Sequence, residues 1–221
     1  YRSFFTNVSF LRYYFNSVVV AAGTITVCLV AGTLAGYSFS RFSYPGRNTL
    51  MIITLSAQMF PWALLLISLY SLFQRLSLLD SYIGLILAHS VFALPLTTWI
   101  LKGYFDTVPT SIEESALIEG ASRSRILASI VLPLCRPGLV AATIYVFIFS
   151  WNDFIFGLTL TTSDKMRIIA PGIAITYIAE FQYKWIEMMA TATLVTLPVV
   201  VLFLVLQRHF VDGLTAGATK Y

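Results

Sequence analysis

Charge is what this sequence has least of. Asp, Glu, Lys and Arg make up 11% of its 221 residues, against about 25% in ordinary soluble domains. A soluble chain needs a charged surface, and too little charge is present here to build one. Ten acidic residues and two histidines also leave little material for general acid–base catalysis. No G-x-x-x-x-G-K-[ST] run is present to cradle the phosphates of ATP, and no H-E-x-x-H or paired-cysteine spacing points to a metal. The two cysteines are Cys28, inside an apolar run, and Cys135, in a polar one, so no disulfide between them is expected. An initiator Met and a signal-peptide pattern are lacking at Tyr1, and a further segment upstream is expected.

Apolar residues fill the space that charge leaves, at 58% of the chain. Several runs reach the roughly 20 residues that cross a bilayer as a helix. The expected fold class is all-α, a polytopic transmembrane bundle, with residues 1–221 as one membrane domain of about five spans. The net charge of +4 is carried between the apolar runs, so it bears on topology and not on nucleic acid. Tyr1–Asn16 is aromatic and reads as an interfacial lead-in, or equally as a short amphipathic or re-entrant helix. The first span, Ser17–Phe39, holds Gly32 and Gly36 at the spacing that admits a second helix closely. The turn Tyr44-Pro45-Gly46 follows. The second span, Thr49–Phe73, contains Pro61, a place for a kink, with Gln58 just before it. After the loop Gln74–Ser81 comes the third span, Tyr82–Leu101, whose His89 reads as a hydrogen-bonded packing residue. The fourth is Leu139–Leu160 and the last is Ile186–Gln207, followed by a small, flexible tail, Phe210–Gly217. Thr161–Trp185 between them is long for a loop, and long loops are often functional. With an external start, Arg41, Arg47, Lys102, Arg123, Arg125, Arg136, Arg208 and Lys220 fall on the cytoplasmic side, eight of fourteen basic residues. The bias is modest and has the sign the positive-inside rule requires.

The long polar stretch from Pro109 to Gly138 organises the rest. Pro109 limits any preceding helix. Ser111 with Glu114 three residues on reads as a capping box. Gly120 suits a left-handed helix end. Ser122 suits the cap of a second helix, which is expected to reach about Val131 before Pro133 and Pro137 break it. The pattern predicts helix, glycine turn, helix on one face of a membrane.

A second polar group, Ser150-Trp151-Asn152-Asp153, sits inside the fourth apolar run. Counted from Leu139, Asp153 lies about 21 Å along a helix. Two readings stand side by side. The group is an interhelical hydrogen-bond cluster, or it lines a solute path, with the Trp151 ring against a sugar face and Asn152 or Asp153 meeting hydroxyls.

Glu114-Ser115-Ala116, three residues, Gly120, nine residues, then Ile130-Val131-Leu132-Pro133 resembles the EAA loop of ABC importer permeases. Ser115 stands where that family usually has Ala, and Glu119 where Asp is commoner. Arg12–Ser17, Arg41–Asn48, Ser150–Phe154 and the tail from Gln207 carry the likeness over nearly the whole chain. They point to the second membrane subunit of carbohydrate importers. The resemblance implies a type I permease fold with a cytoplasmic coupling helix and a span upstream of Tyr1. It implies an ATPase-coupling role for Glu113, Glu114, Ser115, Ala116, Gly120, Ala121 and Pro133, with Glu114 meeting a basic residue of the ATPase. Trp151, Asn152 and Asp153 are the candidate solute path. Expected partners are a second homologous permease, a pair of ATPases binding ATP and Mg, a solute-binding protein meeting the Thr161–Trp185 region, and membrane lipid. The tail is expected to reach the ATPases. No cofactor is expected in this chain, no enzymatic activity, and a bacterial or archaeal inner (plasma) membrane location. The rival class is an ion-coupled secondary transporter relaying protons or ions through Asp153. A polyol or glycerol phosphate is the alternative solute.

Overall fold

The structure is a computed structural model that describes the backbone of residues 8–59, 61–178 and 185–218, and side chains within 9–59, 61, 64–177 and 185–205. Among the described residues every regular element is helical. The first helix, α1, runs unbroken over Val8–Arg41. It is followed by α2 (Arg47–Ser56), a 3₁₀ turn at Ala57–Met59, α3 (Trp62–Arg75) and α4 (Tyr82–Asp106). Among the described residues three helices are long and apolar enough to cross a membrane, over Ser9–Arg41, Tyr82–Asp106 and Trp185–Val205, and two broken pairs raise the number to as many as five. The count of about five spans therefore stands only if each broken pair is one crossing.

The chain divides into two compact units. One comprises Tyr1–Thr26, Phe60–Ala93 and Val146–Leu202, and the other Val27–Met59, Leu94–Tyr145 and Phe203–Tyr221. The first has cores around Phe73, Leu85, Phe156 and Ile168, around Phe10, Tyr13 and Ile169, and around Phe147 and Trp151. The second is built around Tyr37, Leu101, Phe105, Ile126 and Ala142.

In the second unit the two glycines of α1 do what their spacing suggested. A Cβ on Gly36 would stand 3.1 Å from the backbone oxygen of Thr98 and 3.1 Å from the backbone nitrogen of Lys102, and one on Gly32 2.9 Å from the Thr98 neighbour Thr97. Backbone cannot yield as a side chain tip can, so only glycine lets α1 lie this close to α4.

In the first unit the described part of the lead-in is helical. From Val8 it is part of α1, and Phe10, Tyr13 and Asn16 are buried. The Asn16 side-chain amide donates to the backbone oxygens of Lys165 (2.9 Å) and Arg167 (2.8 Å), and its oxygen accepts from the Tyr82 hydroxyl at 2.7 Å. Ser17 Oγ accepts the Ile169 N–H at 2.9 Å, and the Tyr13 hydroxyl bonds Asp164. A buried polar side chain must be paired, and here the pairing fastens a loop. The Thr161–Trp185 region is accordingly not one loop, because Ile169–Ile178 is helical. Residues 179–184 of this region lie outside the described residues. The last helix, Trp185–Ala218, carries its backbone through the stretch expected to be a flexible tail.

Two expected spans are broken. Thr49–Phe73 is not continuous: Pro61 takes extended angles and occupies the N-cap of α3, because it has no N–H to give to a continuing helix. Leu139–Leu160 is divided between Arg136–Trp151 and Ile155–Leu160.

The loop 76–81 is fastened by Asp80, which adopts φ +54. Its carboxylate accepts the N–H groups of Thr162 (3.0 Å) and Ser163 (2.9 Å), and its own N–H donates to Leu160 O at 2.8 Å. Desolvation pushes this carboxyl's pKa up, but the bonds from Ser163 and Thr162 and the charge of Arg167 outweigh it and hold it below the ordinary value. A depressed carboxyl pKa stabilises the fold above the unfolded-state value, and that contribution is lost as pH falls through the folded value. Asp80→Asn is expected to cost about 1.5–3 kcal/mol at pH 7, the range for hydrogen bonds to a charged group. The gap to wild type in thermal unfolding should narrow as pH is taken below the ordinary carboxyl range. An equal gap at every pH would mean that the charge of Asp80 does not matter.

Candidate functional site

The helix of the Pro109–Gly138 stretch, α5, spans Thr110–Ile118 with Pro109 at its N-cap. Ser111 lies inside it, and no side chain caps it, so the expected capping box is absent. Proline supplies the extended start instead, and no N–H of its own needs a partner. At the other end Gly120 is left-handed, with φ +85. The Ala121 N–H bonds Ala116 O at 3.0 Å, and the Gly120 N–H bonds Leu117 O at 3.0 Å. This is a Schellman motif, which closes the helix and turns the chain at a residue that any side chain would strain.

The helix α5 has two faces. Ser111, Glu114, Ser115 and Ile118, at i, i+3, i+4 and i+7, are all exposed, Ile118 to 88%. Glu113 and Ala116, three apart, face inward and are buried, Glu113 to 1% exposure. Adjacent glutamates thus point about 100° apart, as helix geometry requires. The Glu113 carboxylate accepts from the Tyr37 hydroxyl at 2.6 Å and from Arg41 Nε at 2.5 Å. Arg41 Nη2 donates to the backbone oxygens of Phe105 (2.7 Å) and Val108 (2.9 Å). Arg123 Nη1 lies 3.9 Å from the second Glu113 oxygen. In sequence Glu113 and Glu114 share one role by resemblance, and Arg41 stands as a topology charge at the head of a run that carries the likeness. The i, i+3 spacing of Glu113 and Ala116 was the available signal, but it does not reveal which face turns inward.

Beyond the glycine turn, Ser122 caps α6 (Arg123–Ile126), its oxygen accepting the Arg125 N–H at 3.4 Å. The helix does not end at Val131. It widens to a π-helical turn over Leu127–Val131, passes Pro133 in a short segment Leu132–Leu134 (α7), and turns by 81° at Cys135 before α8 (Arg136–Trp151). Wider turns relieve the clash between a proline ring and the carbonyl four residues before it. Pro133 itself is exposed and Ala121 half-buried. Ala116, Gly120, Ala121, Arg125, Ile126 and Ser129 are among the residues around an open cavity of about 370 Å³. Cys28 and Cys135 form no disulfide with each other.

In the other unit, α8 stops at Trp151 and α9 (Ile155–Leu160) begins after a break. Trp151 is 3% exposed. Its ring stacks on Phe147 at 5.2 Å and meets the edge of Tyr14, and its Nε1 donates to Val195 O at 3.1 Å. Phe147 and Tyr14 belong to the same unit, so the ring is packed within the chain. Asp153 accepts the N–H groups of Phe156 (3.1 Å) and Gly157 (2.8 Å), so it caps the helix that follows it. Its Oδ2 lies 3.2 Å from His89 Nε2, off the axis of a hydrogen bond, while His89 Nδ1 bonds Ser150 Oγ at 2.9 Å. His89 is the packing residue expected. Asn152 alone of the three is exposed.

Residues 28–215 match the family described as the binding-protein-dependent transport system inner membrane component. The chain belongs to this family. It is a multi-pass component of an inner membrane, as the charge-poor composition and apolar helices required. Relatives in the family include the maltodextrin transport system permease protein MdxG of Bacillus subtilis, 38% identical over all of this chain and 79% of its own length. They also include the trehalose/maltose transport system permease protein MalG of Thermococcus litoralis, 35% identical over 96% of this chain and 76% of its own. A bacterial ABC transporter involved in import of the acidic polysaccharide alginate has the same fold, with a TM-score of 0.81 over 93% of this chain and 77% of that one at 20% identity. Members of the family are transport components, and the type I permease fold expected from the EAA-like spacing is the fold observed.

Proposed function

We propose that this chain is a permease subunit of an ATP-driven importer for a carbohydrate, and that α5 is the surface on which a cytoplasmic ATPase acts. The chain's full-length likeness to the maltodextrin permease supports the first part. The exposed stripe Ser111–Glu114–Ser115–Ile118 on a helix anchored by a buried carboxylate supports the second. Ile118, 88% exposed one turn from Glu114, gives that stripe an apolar contact. The ATPase pair supplies ATP and Mg chemistry, a second permease completes the pathway, and a binding protein delivers the solute. Gly120, Ala121 and Pro133 shape the turn and the helix behind α5. On the solute path we assign contact to Asn152, with Trp151 and Asp153 holding the break that presents it. An ion relay through Asp153 is the weaker reading, since two backbone N–H groups already engage its carboxylate.

Co-purification with the products of neighbouring genes, in proteoliposomes, tests this reading. ATP hydrolysis and uptake are measured with maltodextrin, trehalose and glycerol phosphate on the binding protein. Stimulation by one of the sugars is the expected result. Stimulation by glycerol phosphate alone would replace the solute class, and uptake on an ion gradient without an ATPase would overturn the mechanism. Glu114→Ala is expected to leave folding within about 0.5 kcal/mol, as for an exposed position. Uptake should fall about tenfold or more, in the range of inter-site coupling energies. Unchanged uptake would remove Glu114 from the interface.

A further inference from the structure

We infer that Glu113 is the joint that carries motion of α5 into α1, a positioning role separate from docking at Glu114. This rests on the proposal that an ATPase acts on α5. The exposed face of that helix receives a load, and something must transmit it inward. Apolar contacts such as Ala116 in the core around Tyr37 and Phe105 resist compression but slide sideways, because they have no preferred direction. Directional bonds do not slide.

The Glu113 carboxylate supplies them. One oxygen is held by Tyr37 at 2.6 Å and the other by Arg41 at 2.5 Å, and both donors lie on the last turns of α1. The same guanidinium bonds Phe105 O and Val108 O, at the end of α4 and in the connection to α5. A nearby second tie, from Ser40 Oγ to Asp106 Oδ1 at 2.6 Å, joins α1 to the end of α4 again. One ion pair therefore fastens three elements, with the pair almost wholly out of solvent, at 6% and 1% side-chain exposure. Charge-assisted bonds in such a place are strong and fixed in direction. Through this joint α5 can pull α1 as well as push it, which a return stroke requires.

The test uses the reconstituted complex with its ATPase and its binding protein loaded with maltodextrin, measuring ATP hydrolysed and sugar imported on the same vesicles. Glu113→Gln keeps the shape and removes the charge. Tyr37→Phe removes one bond and leaves the ion pair. Hydrolysis should stay near wild type. Import per ATP should fall about tenfold in Glu113→Gln and about threefold in Tyr37→Phe. The double variant should be no worse than Glu113→Gln, since both act through one carboxylate. Wild-type import per ATP in Glu113→Gln, parallel loss of both activities, or additive losses in the double variant would each overturn the joint. If Glu113→Gln does not assemble, Tyr37→Phe decides alone, and a normal ratio there overturns the inference. Failure of the importer reading looks different, because wild-type vesicles would then show no ATP-driven import.

Discussion

Arg41→Ala is expected to destabilise the protein by about 3–5 kcal/mol, the cost of leaving a buried charge without its partner. The side chains of Arg41 and Glu113 are 6% and 1% exposed, so water cannot take over from the missing guanidinium. The carbonyls of Phe105 and Val108 lose a donor in the same step. Thermal unfolding in detergent reads the loss. Adding Glu113→Gln to Arg41→Ala should restore part of it, because the stranded charge is then gone. A double variant less stable than Arg41→Ala would show that the cost comes from lost packing of the arginine stem and not from the charge.

Trp151→Ala should cost a similar amount, about 3–5 kcal/mol, as deletion of a large buried aromatic does. The ring is enclosed by Phe147, Tyr14 and the helix that carries Val195, so truncation opens a cavity that this packing cannot close. Trp151→Phe keeps the stack and loses the bond to Val195 O, at about 1 kcal/mol. The solute concentration giving half-maximal import should not change in Trp151→Phe. A large rise there with stability near wild type would place the ring on the solute path.

Both effects concern residues whose importance a one-dimensional reading ranks poorly. The apolar runs were legible because a span is recognised by length and by lack of charge, which are local properties. The glycine turn at Gly120 and the Ser122 cap were legible for the same reason, since each is decided within a few residues. Continuity of the helices was not. Pro61 was read as a kink and proved a break. The fourth run looked unbroken because no proline or glycine marks Asn152–Phe154, and the carboxylate of Asp153 that caps the next helix looks in sequence like a stray charge. Pro133, marked as a stop, lies in a short helical segment that follows directly on a π-helical turn. Whether a helix breaks depends on what can satisfy the freed backbone groups, and those partners come from elsewhere in the chain or from a side chain's orientation.

The sequence by itself determined that this is a charge-poor helical membrane chain, where its polar stretch lies, and, through the EAA-like spacing, the family to which that stretch belongs. These follow from composition, periodicity and short-range turn chemistry, which act between near neighbours. Only the tertiary structure decided that Glu113 turns inward while Glu114 turns out, that Asn16 and Tyr13 fasten the segment after Leu160, and that Trp151 is packed within the chain. Those facts depend on which face of a helix meets which partner. A buried polar group must find a partner wherever the fold brings one, and in this chain the partners lie 72 residues away for Arg41 and Glu113, and 151 for Asn16 and Arg167.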